Sequence, residues 1–503
     1  MAAGDIGAGL RLIAAGWILA RHDALVPREA AHLLPWPVRV IGGVSRLFSN
    51  AAARRGRPGE RLAHAFEQMG PVAIKLGQLL STRADIFGAE FAADLGRLKD
   101  KLPPFPQAQA EAEVQKALGL PLSSLFTEFG PPVAAASLAQ AHPARLKDGR
   151  KVAVKVLRPR IEQRVMAELR AMALGARIVE WAAPQAKRLE PRAFVASTAR
   201  SMALELDLRL EAAAASEMFE VMARDPYMTA PAVVWDGVGK RVLTLEWAEG
   251  TPLSQAGALE DPAFDRKLLA DNLIRAFLAQ ALDHGVFHAD LHEGNLFVSP
   301  PARIAAVDFG IVGRLGPTEQ KFMAEVLWGF LRRDYRRVAE VHFEVGYVPA
   351  VHNIDDFAQA LRAVGEPIFG RPAGEVSMGR LLGQLFEITG LFDMNMRPEL
   401  ILLQKTMVTV EGVARKIDPD HDIWAAARPV VERWVARELS PAAKVRELVK
   451  KGGRALDALA RLGELPEPAP LLVESPPRSG PLALLFAVAA LGLAASALFI
   501  AFR

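Results

Sequence analysis

The 503-residue chain contains no cysteine. That absence excludes disulfides, thiolate metal sites and a cysteine nucleophile, and it fits a protein that faces the cytoplasm. An excess of one charge sign is missing too: 61 Lys and Arg stand against 57 Asp and Glu, a formal net charge of +4. Nothing in that balance points to nucleic acid, which is not expected as a partner. The low hydrophobicity and high net charge of a disordered chain are also absent, since 51% of the residues are hydrophobic and 23% charged. No internal repeat is evident. At roughly 150 residues per domain, the length suggests two or three domains and ample chain for a buried core.

Long hydrophobic runs are absent except at the C-terminus. Residues 481–502 are apolar or small throughout and uncharged, and Arg503 closes the chain. About 20 such residues cross a bilayer core of about 30 Å. Residues 481–503 therefore read as a transmembrane anchor, a single pass through a bacterial inner membrane. Gly492 and Ser496 form a small-xxx-small pair that lets two such helices approach, the one hint of a homodimer. Six prolines between Pro466 and Pro481 mark an extended linker before the span, set at 451–480. At the other end Leu10, Ile13, Ala14 and Trp17 recur at helical spacing, with Arg11 and Arg21 beside them. The run is too short to span, and Asp5 is its first charge, so a secretory signal is not expected. A helix over 1–25 that lies on a membrane, or packs against a domain, accounts for it.

Between these ends the pattern changes several times. Arg61 to Leu98 reads as helix, stopped by Leu102-Pro-Pro-Phe-Pro106. Short strands follow over Pro131–Leu146 and Lys151–Val156, then alanine-rich helices from about Ile161 to Arg224, then a strand over Lys240–Glu246. From Asp265 onward the chain reads as mostly helical.

The chemistry begins at His288-Ala-Asp290, with Asn295 placed as in a kinase catalytic loop. Asp290 can orient a hydroxyl or accept its proton, and Asn295 can reach a metal that bridges phosphates. Asp308-Phe309-Gly310 follows the apolar run Ile304–Val307 and adds a carboxylate for magnesium, which takes hard oxygen ligands together with phosphate oxygens. Upstream, Val152-Ala-Val-Lys155 is an apolar strand carrying one lysine, as expected of the residue that meets the α- and β-phosphates. Each motif alone is a chance match or a solvated side chain; in this order they point to ATP and Mg2+. The segment Glu205-Leu-Asp-Leu-Arg-Leu-Glu211 offers carboxylate partners for a lysine. As one helix turning about 100° per residue, it sets Asp207 and Glu211 on one face and Glu205 away from it. Leucines at 204, 206, 208 and 210 leave little of it looking solvated. Where a kinase has a glycine-rich loop, this chain has Pro132-Val133-Ala134-Ala135-Ala136-Ser137-Leu138-Ala139-Gln140. Alanine permits close backbone approach but lacks the positive-φ freedom of glycine. Phosphates must then be held differently, with Ser137 and Gln140 as candidates.

Lys75-Leu-Gly-Gln78, the alanine loop, Glu205-x-Asp207, His288-Ala-Asp290 and Asp308-Phe-Gly310 together resemble the UbiB family of atypical kinase-like proteins, over about residues 10–450. The resemblance implies an α+β, protein-kinase-like bilobal fold. It would comprise a helical extension with a Lys-x-Gly-Gln lid over 26–106, an N-lobe with inserted helices over 107–250 and a C-lobe over 251–450. It implies ATP and Mg2+ as cofactors and support of ubiquinone (coenzyme Q) biosynthesis at a membrane, with the kinase-like domain facing the cytoplasm. Membrane lipid, prenylated quinone precursors and quinone-biosynthesis enzymes are the implied partners, and ATP hydrolysis is favoured over protein phosphorylation. Carried over by the resemblance, Lys75 and Gln78 gate the site with Glu205 and Asp207, and Lys155 with Glu211 positions phosphates. Asp290 is the catalytic aspartate, Asn295 and Asp308 hold magnesium, and Glu246 meets adenine at the hinge. Glu293 stands where relatives usually have proline.

Two other readings stay open. One is a small-molecule phosphotransferase of the antibiotic or choline kinase type, which shares the His-x-Asp-x-x-x-x-Asn loop. Lys75-x-Gly-Gln78, the full Asp-Phe-Gly triplet and the anchor stand against it. The other is a non-catalytic lipid-binding scaffold, which has no need to keep the lysine, glutamates and metal ligands together. An ordinary protein kinase is disfavoured, because helical pattern resumes by about Pro317 with no Ala-Pro-Glu and no room for a long activation segment.

Overall fold

The computed structural model describes residues 3–25, 36–50, 55–81, 88–96, 98, 103–182, 187, 190–368, 384, 388, 390–394 and 397–438. Its organising element is an antiparallel sheet in the order β1 (Phe126–Phe129), β3 (Ala139–Leu146), β4 (Lys151–Leu157), β5 (Val242–Glu246), with β2 (Ala134–Ala135) paired to β3. The alternation of β4 sorts its side chains. Val152, Val154 and Val156 are fully buried on one face, against Phe126, Leu146 and Val114 of α6 (Gln107–Leu118). Each buried valine contributes about 1.5–3 kcal/mol by leaving water. The opposite face carries Lys155 and Leu157. Leu157 packs among Ile161 and Val165 of α7 (Ile161–Ala182), Met202 of α8 (Pro191–Glu205), and Leu208 and Ala212 of α9 (Leu208–Met222).

Among the described residues, the segment expected as one helix from Arg61 to Leu98 is instead divided into α3 (Pro58–Met69), α4 (Pro71–Ser81) and α5 (Ala89–Leu95). The break falls at Gly70, whose φ of +120° is open to glycine and strained for other residues; Pro71 then starts α4 where its missing N–H is harmless. α4 packs Ala73 and Ile74 against Ala63, Phe66, Leu95 and Leu98, and Val72 reaches the core under the sheet. The contact is close: a Cβ on Gly77 would lie 2.2 Å from Leu98 Cδ1 and 2.8 Å from Phe66 Cδ2. The first helix, α1 (Ala3–Arg21), runs along α7, with Leu12 near Gly175. Leu10, Ile13 and Trp17 remain exposed, and Trp17 meets the exposed Phe48 at 5.5 Å between ring centroids. α1 thus packs as a domain helix and also presents an apolar face; the ten-residue helix α2 (Trp36–Ser45) adds exposed Val40 and Val44.

The region after Asp265 is less uniformly helical than its pattern suggests. It starts with α10 (Arg266–Ala279), capped by the Asp265 carboxylate accepting from the Leu268 N–H (2.9 Å). Four short strands then intervene: β7 (Val286–His288) pairs with β10 (Val312–Arg314), and β8 (Leu296–Ser299) with β9 (Arg303–Ala306); β6 (Thr251–Pro252) joins β8. Helices α11 (Pro317–Arg332), α12 (Tyr335–Glu344), α13 (Ile354–Gly365), α14 (Pro398–Ile417) and α15 (Ile423–Glu438) follow. Among the described residues no helix is long and apolar enough to cross a membrane. The anchor expected at 481–503 and its linker at 451–480 lie outside the described residues.

Candidate active site

Lys155 is the meeting point of three elements. Its Nζ lies 2.7 Å from Glu211 Oε1 and 3.2 Å from Asp308 Oδ1. The strand alternation turns it toward α9, where Glu211 sits in the first turn, the end of a helix that favours negative charge. Burial works against the Lys155 charge, but the Asp308 and Glu211 carboxylates outweigh it and raise the ammonium above its ordinary value. In return the Lys155 charge holds Asp308 below the usual carboxylate range. Burial pushes Glu211 up, against the pull of Lys155.

The catalytic-type loop is built around a buried histidine. His288 Nε2 lies 3.1 Å from the Val307 carbonyl and Nδ1 accepts from the Asp290 N–H at 3.1 Å, a pattern that suits one neutral tautomer. Burial pushes its pKa down, consistent with that state. Asn295 donates its side-chain Nδ2 to the Asp290 carbonyl (3.0 Å), and Val307 N–H donates to the Asn295 carbonyl (2.9 Å). With the nitrogen engaged, Asn295 Oδ1 has no hydrogen bond among the described residues. Asp308 follows β9 with φ +63°, while Phe309 beside it is buried against the His288 ring at 5.2 Å. An ionised carboxylate and an uncommitted amide oxygen are hard donors that fit magnesium. No cluster of three or more His, Asp or Glu side chains forms a closed metal cage among the described residues, so phosphate oxygens would have to complete such a site. Glu293, in the loop's helical turn, pairs with Lys416 of α14, a tether where proline rigidity is missing.

The alanine loop is held by its own backbone and by one arginine. Ala136 N–H donates to the Ala139 carbonyl (2.8 Å), Arg158 N–H to the Leu138 carbonyl (2.8 Å), and the Arg158 guanidinium to the Ala136 carbonyl (3.0 and 2.8 Å). Val133 is exposed and Ser137 buried. Gln140 has its amide engaged at both ends by the Phe105 main chain (2.9 and 3.1 Å) and touches His142 (2.8 Å), so in this structure it anchors the approach to α6. Glu246 ends β5, and its carboxylate turns to Arg150 Nη1 (2.7 Å) rather than standing free at a hinge.

Lys75 of α4 forms an ion pair with Glu205, both partly buried. Asp207 does not join it. The expected continuous helix over 205–211 is broken: α8 ends at Glu205, and Asp207 caps α9 by accepting from the Arg209 N–H (3.2 Å) while pairing with the Arg209 guanidinium at 2.6 and 2.8 Å. Leu206 and Leu208 are buried at the break, whereas Leu204 and Leu210 are exposed, so the segment is more solvated than its leucines suggest. Gln78 lies on the same helix as Lys75, its carbonyl accepting from the Ser81 hydroxyl (2.6 Å). One residue of the site escaped the sequence reading. Thr406 of α14 donates its hydroxyl to the Ala289 carbonyl (3.1 Å), which brings Lys405 beside the Asp290 loop. A lone lysine inside the run Leu400–Val410 was the signal.

Comparison with known proteins places this arrangement. A family model described as "ABC1 atypical kinase-like domain" matches residues 97–342, and one described as "UbiB helical domain" matches 361–422. The chain is 40% identical over 447 residues to "Probable protein kinase UbiB" of Marinobacter nauticus, covering 87% of this chain and 81% of the relative. The protein of that name from Tolumonas auensis is 39% identical, with 88% and 82% covered. A solved structure from Mycobacterium tuberculosis, described as an erythromycin complex, aligns with a TM-score of 0.50 at 24% identity over 72% of this chain and 93% of that one. That likeness speaks to fold alone.

Proposed function

This chain belongs to the UbiB family of ABC1 atypical kinase-like proteins, and from that premise we propose that it binds ATP with magnesium and hydrolyses it in support of ubiquinone biosynthesis at a membrane. The observation that carries this reading is Lys155 held between Glu211 and Asp308. That contact draws the sheet, α9 and the Asp-Phe-Gly turn to one point. Lys155 would meet the inner phosphates from the sheet, with Glu211 fixing its position. Asp290, with its main chain held by His288, would orient the attacking water. Asn295 and Asp308 would hold magnesium, which when bound offsets phosphate charge. The alanine loop, stapled by Arg158, would cover the nucleotide with main chain rather than with glycine.

A lid reading fits the N-terminal layer: the Lys75–Glu205 pair would hold α4 across the mouth, restricting access by a protein substrate. α11 begins at Pro317, close behind β10, which leaves no long activation segment to dock one. The exposed Leu10, Ile13 and Trp17 face supports contact with lipid, where prenylated quinone precursors and the enzymes acting on them would be met. Attachment by 481–503, a single pass with the kinase-like domain toward the cytoplasm, completes the proposal.

Asp308→Asn in the full chain tests it. The substitution keeps the shape and removes the charge, so magnesium-dependent ATP hydrolysis and rescue of quinone synthesis in a deletion strain should both be lost. A folded variant with full hydrolysis would overturn the magnesium assignment.

A further inference from the structure

Three lysines surround the proposed nucleotide site, and two are neutralised in place: Lys155 by Glu211 and Asp308, Lys75 by Glu205. Lys405 is not. It has no carboxylate within ion-pair distance among the described residues, yet its helix is fixed to the Asp290 loop at two points. Thr406, next in the chain and buried, donates to the Ala289 carbonyl, and Lys416 further along the helix pairs with Glu293. Lys405 is exposed, so a ligand can meet it. Asp290 attracts its ammonium and Lys75 repels it.

An exposed ammonium beside the Asp290 loop that no carboxylate neutralises is available to an anion entering the site. The loop from His288 to Asn295 contains no lysine or arginine, so it supplies no permanent cation of its own for charge that develops on a phosphate beside Asp290. Lys155 approaches from the sheet and is committed to the inner end of the site. We propose that Lys405 is a catalytic residue of this site, binding the terminal phosphate of the nucleotide from the helical side, opposite Lys155. The assignment rests on the ATP reading above and adds one contact to it, made to ATP and not to ADP.

That difference is the test. Calorimetric titration of the full chain with ATP and with ADP, each with magnesium, would be repeated for Lys405→Met and Lys405→Arg, with thermal melting as the control for folding. Losing one charged contact to phosphate should weaken ATP binding by about tenfold, leave ADP binding unchanged and lower kcat. Lys405→Arg should recover most of the ATP affinity. If Lys405→Met fails to fold, Lys405→Gln serves in the same comparison. Equal weakening of both nucleotides, or of neither, would overturn the role of Lys405 while leaving the ATP site standing. Wild-type protein that binds neither nucleotide would overturn the ATP reading and this assignment together.

Discussion

Lys155–Glu211 and Lys75–Glu205 join the same residue types in two different parts of the molecule. The first links a strand to a helix and is shared with a third group, Asp308. The second links two helices. In the sheet, the lysine's direction is set by the alternation of β4 and by hydrogen-bonded register with β3 and β5, where Lys155 faces Ala141 and Leu243. In the helical layer the direction depends on how closely α4 lies against its neighbours, a distance that one methyl group can change. An ion pair held by register is tolerant of its surroundings; one held by helix spacing reports on them.

The largest expected effect is on the sheet side. Lys155→Met leaves Glu211 buried without its cation and removes the charge that holds Asp308 below the usual carboxylate range. Breaking a fully buried pair costs about 3–5 kcal/mol, and this partly accessible one should cost about 3 kcal/mol. The pH dependence has a definite sign. Burial already raises the Glu211 pKa, and loss of Lys155 raises it further, so the folded variant binds protons that the unfolded chain releases. Its stability therefore falls as pH rises above the ordinary glutamate value, and the loss relative to wild type should be greater at pH 8 than at pH 5. Urea unfolding at the two pH values measures this; a small, pH-independent loss would mean that Glu211 does not depend on Lys155.

The same contrast explains what could be read from the chain. Val152-Ala-Val-Lys155 was legible because a period of two assigns each side chain to a face without knowledge of the rest of the fold. The order of the His288, Asn295 and Asp308 motifs was legible for the same local reason. The helical carboxylates were not. A continuous helix over 205–211 looked consistent because leucines alternate with charges, yet Asp207 is an N-cap residue followed by a new helix, and its capping bond to Arg209 competed successfully with helix continuation. Gly70-Pro71 carried a break signal of the kind that separates helices, lost within a long apolar pattern. Gln140 was drawn away by the Phe105 main chain, and Lys405 reaches the site only because α14 folds back onto it. Neither contact has a signature at short sequence range.

A middle-sized effect should follow from the helix spacing itself. In Gly77→Ala the new Cβ meets Leu98 and Phe66 at distances that force α4 to shift. Overpacking of this kind costs about 1–3 kcal/mol, against a helix-propensity gain of up to about 1 kcal/mol. The melting temperature should fall, and the Lys75 pair should weaken while Lys155 keeps its partners. An unchanged or higher melting temperature would show that the layer accommodates the methyl, and the argument from close packing would fail.

The smallest effect, and the one that separates the two pairs most clearly, is the coupling between Lys75 and Glu205. For a partly buried pair a double-mutant cycle with Lys75→Ala and Glu205→Ala should give a coupling of about 1 kcal/mol, read from unfolding free energies. Additive single effects would mean that the residues do not support each other, and the lid reading would lose its latch. Exchange of the charges extends the test. Glu205 is the last residue of α8, the end of a helix where a carboxylate is disfavoured and an ammonium favoured. Lys75→Glu combined with Glu205→Lys should therefore restore much of the coupling, because no third group stands within ion-pair distance of this pair among the described residues. The corresponding exchange at Lys155 and Glu211 should not. It would place a new carboxylate beside Asp308, where Lys155 now stands 3.2 Å away, and turn an attraction into repulsion at the point where magnesium would be held. If both exchanges recover equally, the third group is not part of the sheet-side network, and the difference drawn between the two pairs disappears.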